Sequence, residues 1–300
     1  IGRFHPLHEK RQRVRKPLVR RDGVLSETTW ADALNTAAQR LKACGDNLCT
    51  VVSGFVTNEE AEALASGLPG SKVTMTAAPA SPAAALSVLD EADICLVVGA
   101  NLAETHQVAS FAIKRSVRHR GARLIVLSDE PTGLDDWAIS RWTLAEADRA
   151  IKIAAAAELP VVVYDAANAS LACSIVERLP HAQSLSLADG GNALGLAQAG
   201  IVSSFGGQQA QGYLVVVGEQ PHAPCGLMEV LAKAAVVVVQ ASYREPWDQT
   251  ADVILPMPTT FEKDGSFVNT EGRVVSLCKA VNTDLPGVQE MVGGIGQLMG

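Results

Sequence analysis

Three hundred residues, 48% hydrophobic and 19% charged, suffice for two real cores and exclude a disordered chain. A net charge of −7 gives no electrostatic case for nucleic-acid binding. No apolar run reaches the roughly 20 residues of a membrane span, and no signal peptide is legible.

The chain opens on Ile1, not Met, which is the expectation for a processed chain or for part of a longer polypeptide. Its first stretch, "RFHPLHEKRQRVRKPLVRR", is strongly basic, and Pro6 and Pro17 argue against a long helix there. It reads either as a solvated extended arm or as a strap across an acidic partner. Beyond it, short apolar runs alternate with Ala-rich segments. Strands are expected at "TVVSG" from Thr50, "KVTM" from Lys72, "ICLVVG" from Ile94, "RLIVLS" from Arg123 and "PVVVYD" from Pro160. They continue at "YLVVVGE" from Tyr213, "AVVVVQ" from Ala235 and "DVILP" from Asp252. Most are apolar on successive residues, the pattern of parallel strands covered on both faces.

Helices are expected between them. "TNEEAEALAS" starts with Thr57 and Glu60 at capping-box spacing. "ETHQVASFAIKRSVRHRG" offers Val108, Phe111 and Ala112 as an apolar face, ends in basic turns, and meets a stop at Gly121. "LAEADRAIKIAAAAE" and "NASLACSIVERL" repeat the theme. Strand–helix–strand order predicts an α/β fold of two Rossmann-like doubly wound domains, one inserted in the other, with a small terminal β-hairpin region. One sheet takes the strands at Thr50, Tyr213, Ala235 and Asp252; the other takes those at Ile94, Arg123 and Pro160. The expected boundaries are a first α/β domain at 26–82 plus 206–258 and a second at 83–205. A basic arm and hairpin occupy 1–25 plus 259–281, and a helical tail occupies 282–300. "SSFGGQQAQG", Ser203 to Gly212, reads as a loop.

Two strand-end loops are candidates for chemistry. "VVGANLAETH" contains Gly99, Asn101, Glu104 and Thr105, and "VVGEQPHAP" contains Gly218 and Glu219. Each has a glycine ending a buried strand, so each is open to two readings: an anion site or a turn that only serves the fold. A full GxGxxG is absent. The six cysteines, Cys44, Cys49, Cys95, Cys173, Cys225 and Cys278, form no CxxC pair and read as buried thiols of a reducing compartment. His106, His119 and His222 fall on separate elements without a carboxylate at ligand spacing, so no metal site is expected. No GxSxG elbow supports nucleophilic catalysis, and no catalytic residue is assigned. Asp135 and Asp136 before Trp137 read as a turn and helix start. In "FEKDGSFVNTEGRVV", Asp264-Gly265 predicts a two-residue hairpin turn. Phe261 and Phe267 would pack on one side, and Glu262, Lys263, Glu271 and Arg273 would pair near the turn.

Taken in order, "GRF" at Gly2, "RVRKPLVRRDGVLSETTWADAL" at Arg13, "TNEEAEAL" at Thr57, "ADICLVVGANLAETH" at Ala92, "RGARLIVLSD" at Arg120, "GGNALGLAQAG" at Gly190 and "ADVILPMPTTFEKDGSFVNTEGRVV" at Ala251 resemble the molybdopterin-oxidoreductase superfamily. Within it they resemble the branch of the large iron–sulfur subunit of NADH–quinone oxidoreductase, respiratory complex I. The resemblance implies the molybdopterin-oxidoreductase type of fold and a chain that is a part of an oxidoreductase complex but not itself catalytic. Formate dehydrogenases of the superfamily tend to carry a second Arg where Gly272 stands, and its active enzymes usually show Asp-Pro-Arg where Ser128-Asp129-Glu130-Pro131 stands. It therefore implies vestigial pterin-nucleotide loops at Gly99, Asn101, Glu104, Thr105, Gly218 and Glu219, with no cofactor or metal held by this chain. Iron–sulfur clusters are implied on a preceding segment or an adjacent subunit, with the arm and hairpin packing beside them. Implied partners are the NADH/flavin and iron–sulfur subunits of an electron-transfer complex. The implied location is the cytoplasmic side of the inner membrane, held there through the complex, or the matrix side in a mitochondrion. The rival readings are a truncated formate-dehydrogenase-type catalytic subunit, which would lodge a guanine nucleotide at those loops, and a free-standing nucleotide-binding module.

Overall fold

The computed structural model describes residues 11–75, 84–188 and 190–300. "GRF" at Gly2 and the 82/83 boundary lie outside the described residues. Two compact units divide the chain: Ile1–Thr76, Gly190–Val268 and Val274–Gly300 form one, and Ala77–Asp189 with Asn269–Arg273 form the other.

In chain order, the first unit begins with β1 (Leu18–Arg21), β2 (Val24–Glu27), α1 (Trp30–Ala43), β3 (Leu48–Val52), α2 (Asn58–Gly67) and β4 (Ser71–Thr74). The second unit follows with β5 (Ile94–Val98), α3 (Leu102–Thr105), α4 (Gln107–Arg120), β6 (Arg123–Leu127), β7 (Ser140–Trp142), α5 (Ala147–Ala154), β8 (Pro160–Asp165), α6 (Ala169–Glu177) and β9 (Gln183–Leu187). The chain then returns to the first unit with α7 (Ala193–Gln198), β10 (Gly212–Gly218), α8 (Leu227–Leu231), β11 (Val236–Ala241), β12 (Val253–Pro256), β13 (Gly265–Val268), β14 (Val274–Leu277) and α9 (Val288–Met299).

The first unit's sheet runs β2-β1-β12-β11-β10-β3-β4. Its five strands from β12 to β4 are parallel, and β1 joins β12 antiparallel. One face packs on α1, α2 and α9 through Ala33, Ala37, Leu41, Leu64, Met291 and Ile295; the other packs on α8 and Trp247. The second unit's sheet runs β7-β6-β5-β8-β9, all parallel, between α4 on one face and α5 and α6 on the other. Strands β3, β5, β10 and β11 are buried along their whole length, as successive apolar residues require.

All eight expected strands are present, and each one assigned to a sheet falls in that sheet. Four more were not legible. β9, "QSLSL", is an edge strand that alternates polar and apolar residues, and β7 has only three residues. β1 comes from the end of the basic stretch and β2 follows it, and the described part of that stretch is not a solvated arm. Val14, Leu18 and Val19 are buried, and Arg20 donates to the Asp248 and Ala251 carbonyls. The second unit, expected at 83–205, differs at its carboxyl end: Leu196 and Ile201 sit in the first unit's core. The tail expected at 282–300 is helical from Val288, and Val288, Met291, Val292 and Ile295 belong to that same core.

The helix expected from Glu104 breaks at His106 into α3 and α4. Its core face is Ala109, Ala112, Ile113 and Ser116, with Gly121 as the left-handed cap, while Val108 and Phe111 point outward. The cysteine expectation is also corrected. Cys44, Cys49 and Cys95 are buried, but Cys173, Cys225 and Cys278 are exposed. Burial pushes all three buried thiols up, Cys95 to about 12. A thiol reagent at mildly alkaline pH is therefore expected to label only Cys173, Cys225 and Cys278 in the folded protein. Mass spectrometry before and after urea checks this, and early labelling of Cys95 would contradict it.

Candidate functional site

In parallel α/β sheets ligands sit outside the carboxyl ends of the strands, where the strand order reverses. In the second unit that place lies between β5 and β8. Gly99 ends β5 with φ +75°, its N–H donating to the Leu127 carbonyl at 2.7 Å. A Cβ on Gly99 would stand 2.2 Å from Asn168 Cγ, so the Asn168 amide rests against the bare Cα. Asn168 is fixed by the Asp165 carboxylate, which accepts its backbone N–H at 3.1 Å and its Nδ2 at 2.8 Å. Asn101 Oδ1 accepts the Gly133 N–H at 3.1 Å, and its carbonyl accepts the N–H groups of Glu104 and Thr105. The Thr105 hydroxyl donates to the same carbonyl at 3.2 Å. The His106 ring lies 3.2 Å from the Ala188 carbonyl and 3.0 Å from the Thr105 hydroxyl.

A cavity of about 530 Å³ opens beside this loop. Leu86, Val108, Leu185 and Leu187 give it an apolar lining, and Glu104, Glu271 and Arg273 give it charge. Glu271 is already engaged, accepting the Leu86 N–H at 2.8 Å and pairing with Arg273.

In the first unit the order reverses between β3 and β10. Gly218 ends β10 with φ +57°, and a Cβ there would lie 3.1 Å from Phe55 Cβ. One on Gly54 would lie 3.0 Å from Gly190 Cα. Buried Glu219 accepts from the Thr260 N–H at 2.7 Å and from the Thr260 hydroxyl, while its carbonyl accepts from Arg11 at 3.0 Å. The six predicted residues thus fall into two separate groups, Gly99 to Thr105 in one unit and Gly218 with Glu219 in the other. Around Gly99 and Gly218 the chain's own atoms fill the space. His119 lies in the last turn of α4 and His222 in the loop after β10. Among the described residues no three His, Cys, Asp or Glu side chains gather closely enough to hold a metal.

The carboxyl-terminal motif departs from its sequence reading. Asp264-Gly265 is not the hairpin turn, because β13 starts at Gly265 and pairs antiparallel with β14. The turn is Asn269–Arg273. There the Gly272 N–H donates to the Asn269 carbonyl and the Arg273 N–H to Asn269 Oδ1, both at 2.8 Å. Asp264 instead accepts the Lys279 N–H at 2.9 Å. The expected ions also choose other partners, Glu271–Arg273 excepted. Lys263, 9% exposed, meets Glu60, 5% exposed, at 2.7 Å and donates to the Phe55 carbonyl at 3.0 Å. Glu60 also closes the α2 capping box by accepting the Thr57 N–H at 2.8 Å. Glu262 pairs with Arg13, which donates to the Ser242 and Met257 carbonyls. Burial pushes the Glu262 carboxyl up, but the Thr259 amide and Arg13 outweigh it and hold it below the usual carboxylate range.

Fully buried Asn192 completes this network, its Nδ2 donating to Val56 O at 2.9 Å and its Oδ1 accepting the Val268 N–H at 2.7 Å. Asn168, Lys263 and the structural task of Asn192 were missed from sequence. The "GGNALG" motif was the only hint, and Lys263 between two acids looked like surface charge. The arrangement is a clamp of satisfied polar groups with no nucleophile–base pair in it. Lys263→Met, which strands the buried Glu60 carboxylate, is expected to destabilise the protein by about 3–5 kcal/mol. Adding Glu60→Gln, which keeps a capping acceptor and removes the charge, is expected to restore much of that loss. Urea unfolding of both variants checks the sign and the recovery.

The profile of the molybdopterin oxidoreductase family matches residues 13–164 and 210–285. NADH-quinone oxidoreductase subunit 3 of Thermus thermophilus is 27% identical over all of this chain and 46% of its own length. A putative formate dehydrogenase of Bacillus subtilis is 28% identical over 39% of this chain and 14% of its own length. The chain therefore spans less than half of each relative. Among solved structures, the formyltransferase/hydrolase complex of Methylorubrum extorquens contains a chain that superimposes with a TM-score of 0.70 at 14% identity, covering 94% of this chain and 98% of that one. With the profile matching most of its residues and both sheets in place, this chain belongs to the molybdopterin oxidoreductase family.

Proposed function

We propose that the chain is a structural part of an NADH–quinone oxidoreductase, of the large iron–sulfur subunit type, carrying the family fold without a metallated pterin of its own. The observation that carries this reading is the close approach of the chain's own atoms to both strand-end glycines, Asn168 on Gly99 and Phe55 beside Gly218. A pterin dinucleotide needs converging donors for its phosphates and room for the backbone to approach them. Several nearby donors are already engaged within the chain: the Gly99 N–H on Leu127, the Glu104 and Thr105 N–H groups on the Asn101 carbonyl, and Thr260 on Glu219, which counts against such a group. The similarity to the Thermus subunit supports the choice of complex.

In this role the two α/β units act as rigid blocks. Iron–sulfur clusters would sit on a preceding segment or an adjacent subunit, and the partners would be the NADH/flavin and iron–sulfur subunits. Attachment to the membrane would be peripheral, through the complex, on the cytoplasmic or matrix side. No helix among the described residues is long and apolar enough to cross a membrane.

A formate-dehydrogenase-type catalytic reading has one observation in its favour, the cavity of about 530 Å³. Its charged lining counts against that reading. Two carboxylates, Glu104 and Glu271, face one guanidinium, Arg273, which Glu271 already neutralises. A pyrophosphate placed there meets net repulsion.

The test is elemental analysis of the purified chain in its native assembly, with acid release of oxidised pterin read by fluorescence. Molybdenum, tungsten and pterin are each expected far below one per chain. Stoichiometric metal with pterin would overturn the reading. Titration calorimetry with GTP and NAD is expected to give no heat, and tight binding of either would favour a nucleotide-binding module instead.

A further inference from the structure

We propose that the outward face of α4 is a docking surface for another polypeptide, one that lays bulky apolar side chains beside Val108 and Phe111 and carboxylates beside Lys114 and Arg118. Val108 is 71% exposed and Phe111 67% exposed, on adjacent turns of one helix. Their spacing is that of a core face, yet the fold builds its core from Ala109, Ala112, Ile113 and Ser116 instead. The folding of this unit gives no reason for a Phe and a Val outside, and apolar residues clustered on a surface mark interaction sites. The patch also continues inward. Val108 lines the cavity of about 530 Å³ whose other apolar walls are Leu86, Leu185 and Leu187. A partner side chain of Leu, Met or Phe size has a recess to enter there.

Charge decides the kind of partner. Lys114 and Arg118 follow Phe111 by three and seven residues, so they continue the same face for about 10 Å along the axis. Arg115 is held by Asp90 at 2.7 Å, but neither Lys114 nor Arg118 has a carboxylate partner among the described residues. Lys114 lies 5.7 Å from the Trp137 ring. The favourable position of cations in a helix's last turn accounts for Arg118, but not for Lys114 and not for the apolar turns before it. A second copy of this chain docking through its own α4 would bring no acid, since "QVASFAIKRSVRHR" contains none. The complement is a heterologous segment, apolar at one end and acidic at the other. This surface does not depend on the scaffold reading; a catalytic chain would carry it equally.

The experiment places a photo-crosslinking phenylalanine analogue at position 111 of the full polypeptide in its host cell and identifies the joined peptide by mass spectrometry. The expected product is a peptide of another chain with bulky apolar residues and Asp or Glu within about two helical turns of the joined residue. Its yield is expected to fall about fivefold or more in Lys114→Glu/Arg118→Glu, and to stay unchanged in Lys279→Glu. The proposal is overturned by a product with a second copy, a lipid or a small molecule. It is equally overturned by a partner peptide without acids, by a yield indifferent to the charge reversal, or by no product above that of the same analogue at Val202.

Discussion

The amide of Asn168 resting on the bare Cα of Gly99 is the contact on which the functional reading turns. Glycine at that corner admits an atom closer than any side chain would allow, and in nucleotide-binding α/β folds the admitted group is a ligand. Here a Cβ would stand 2.2 Å from Asn168 Cγ, and the Asp165 carboxylate locks the amide in place. The strand-end glycine is kept, but the chain itself supplies what it receives. In the other unit, Phe55 and Gly190 close in on Gly218 and Gly54 in the same way.

The first unit fixes its peripheral segments with buried ions. Lys263 enters the amino end of α2, where Glu60 neutralises it, caps the helix and shares it with the Phe55 carbonyl. Asn192 and Glu59 then satisfy the outer-edge N–H groups of β13, at Val268 and Ser266. Each of these groups is costly to bury alone and is tolerated because the others are present. Geometry held by mutually dependent polar contacts suits a part whose task is to keep neighbours in fixed positions.

Much of the fold was legible because its strands are continuous apolar runs, a pattern that depends on burial alone and survives any change of partner. β9 escaped because serines interrupt its leucines, so it has no continuous apolar run even though Leu185, Ser186 and Leu187 are all buried. The turn at Asp264-Gly265 failed because local turn preference is weak beside a buried ion pair one residue away, which draws Lys263 inward and moves the reversal to Asn269–Arg273. Gly99 and Gly218 were legible as special positions. What fills them was not, since Asn168 and Phe55 lie far from those glycines in sequence. The outward turn of Val108 and Phe111 was equally hidden, because spacing marks an apolar face without saying which way it points.

What occupies the carboxyl ends of β5 and β8 in the working assembly decides most directly between scaffold and catalyst. An experimental density map of that assembly, at a resolution that shows side chains, measures this without assumption. A scaffold role predicts side-chain density for Asn168 lying on Gly99 and no heavy-atom peak nearby. Asn168 swung away, with pterin-dinucleotide density in its place, would contradict it.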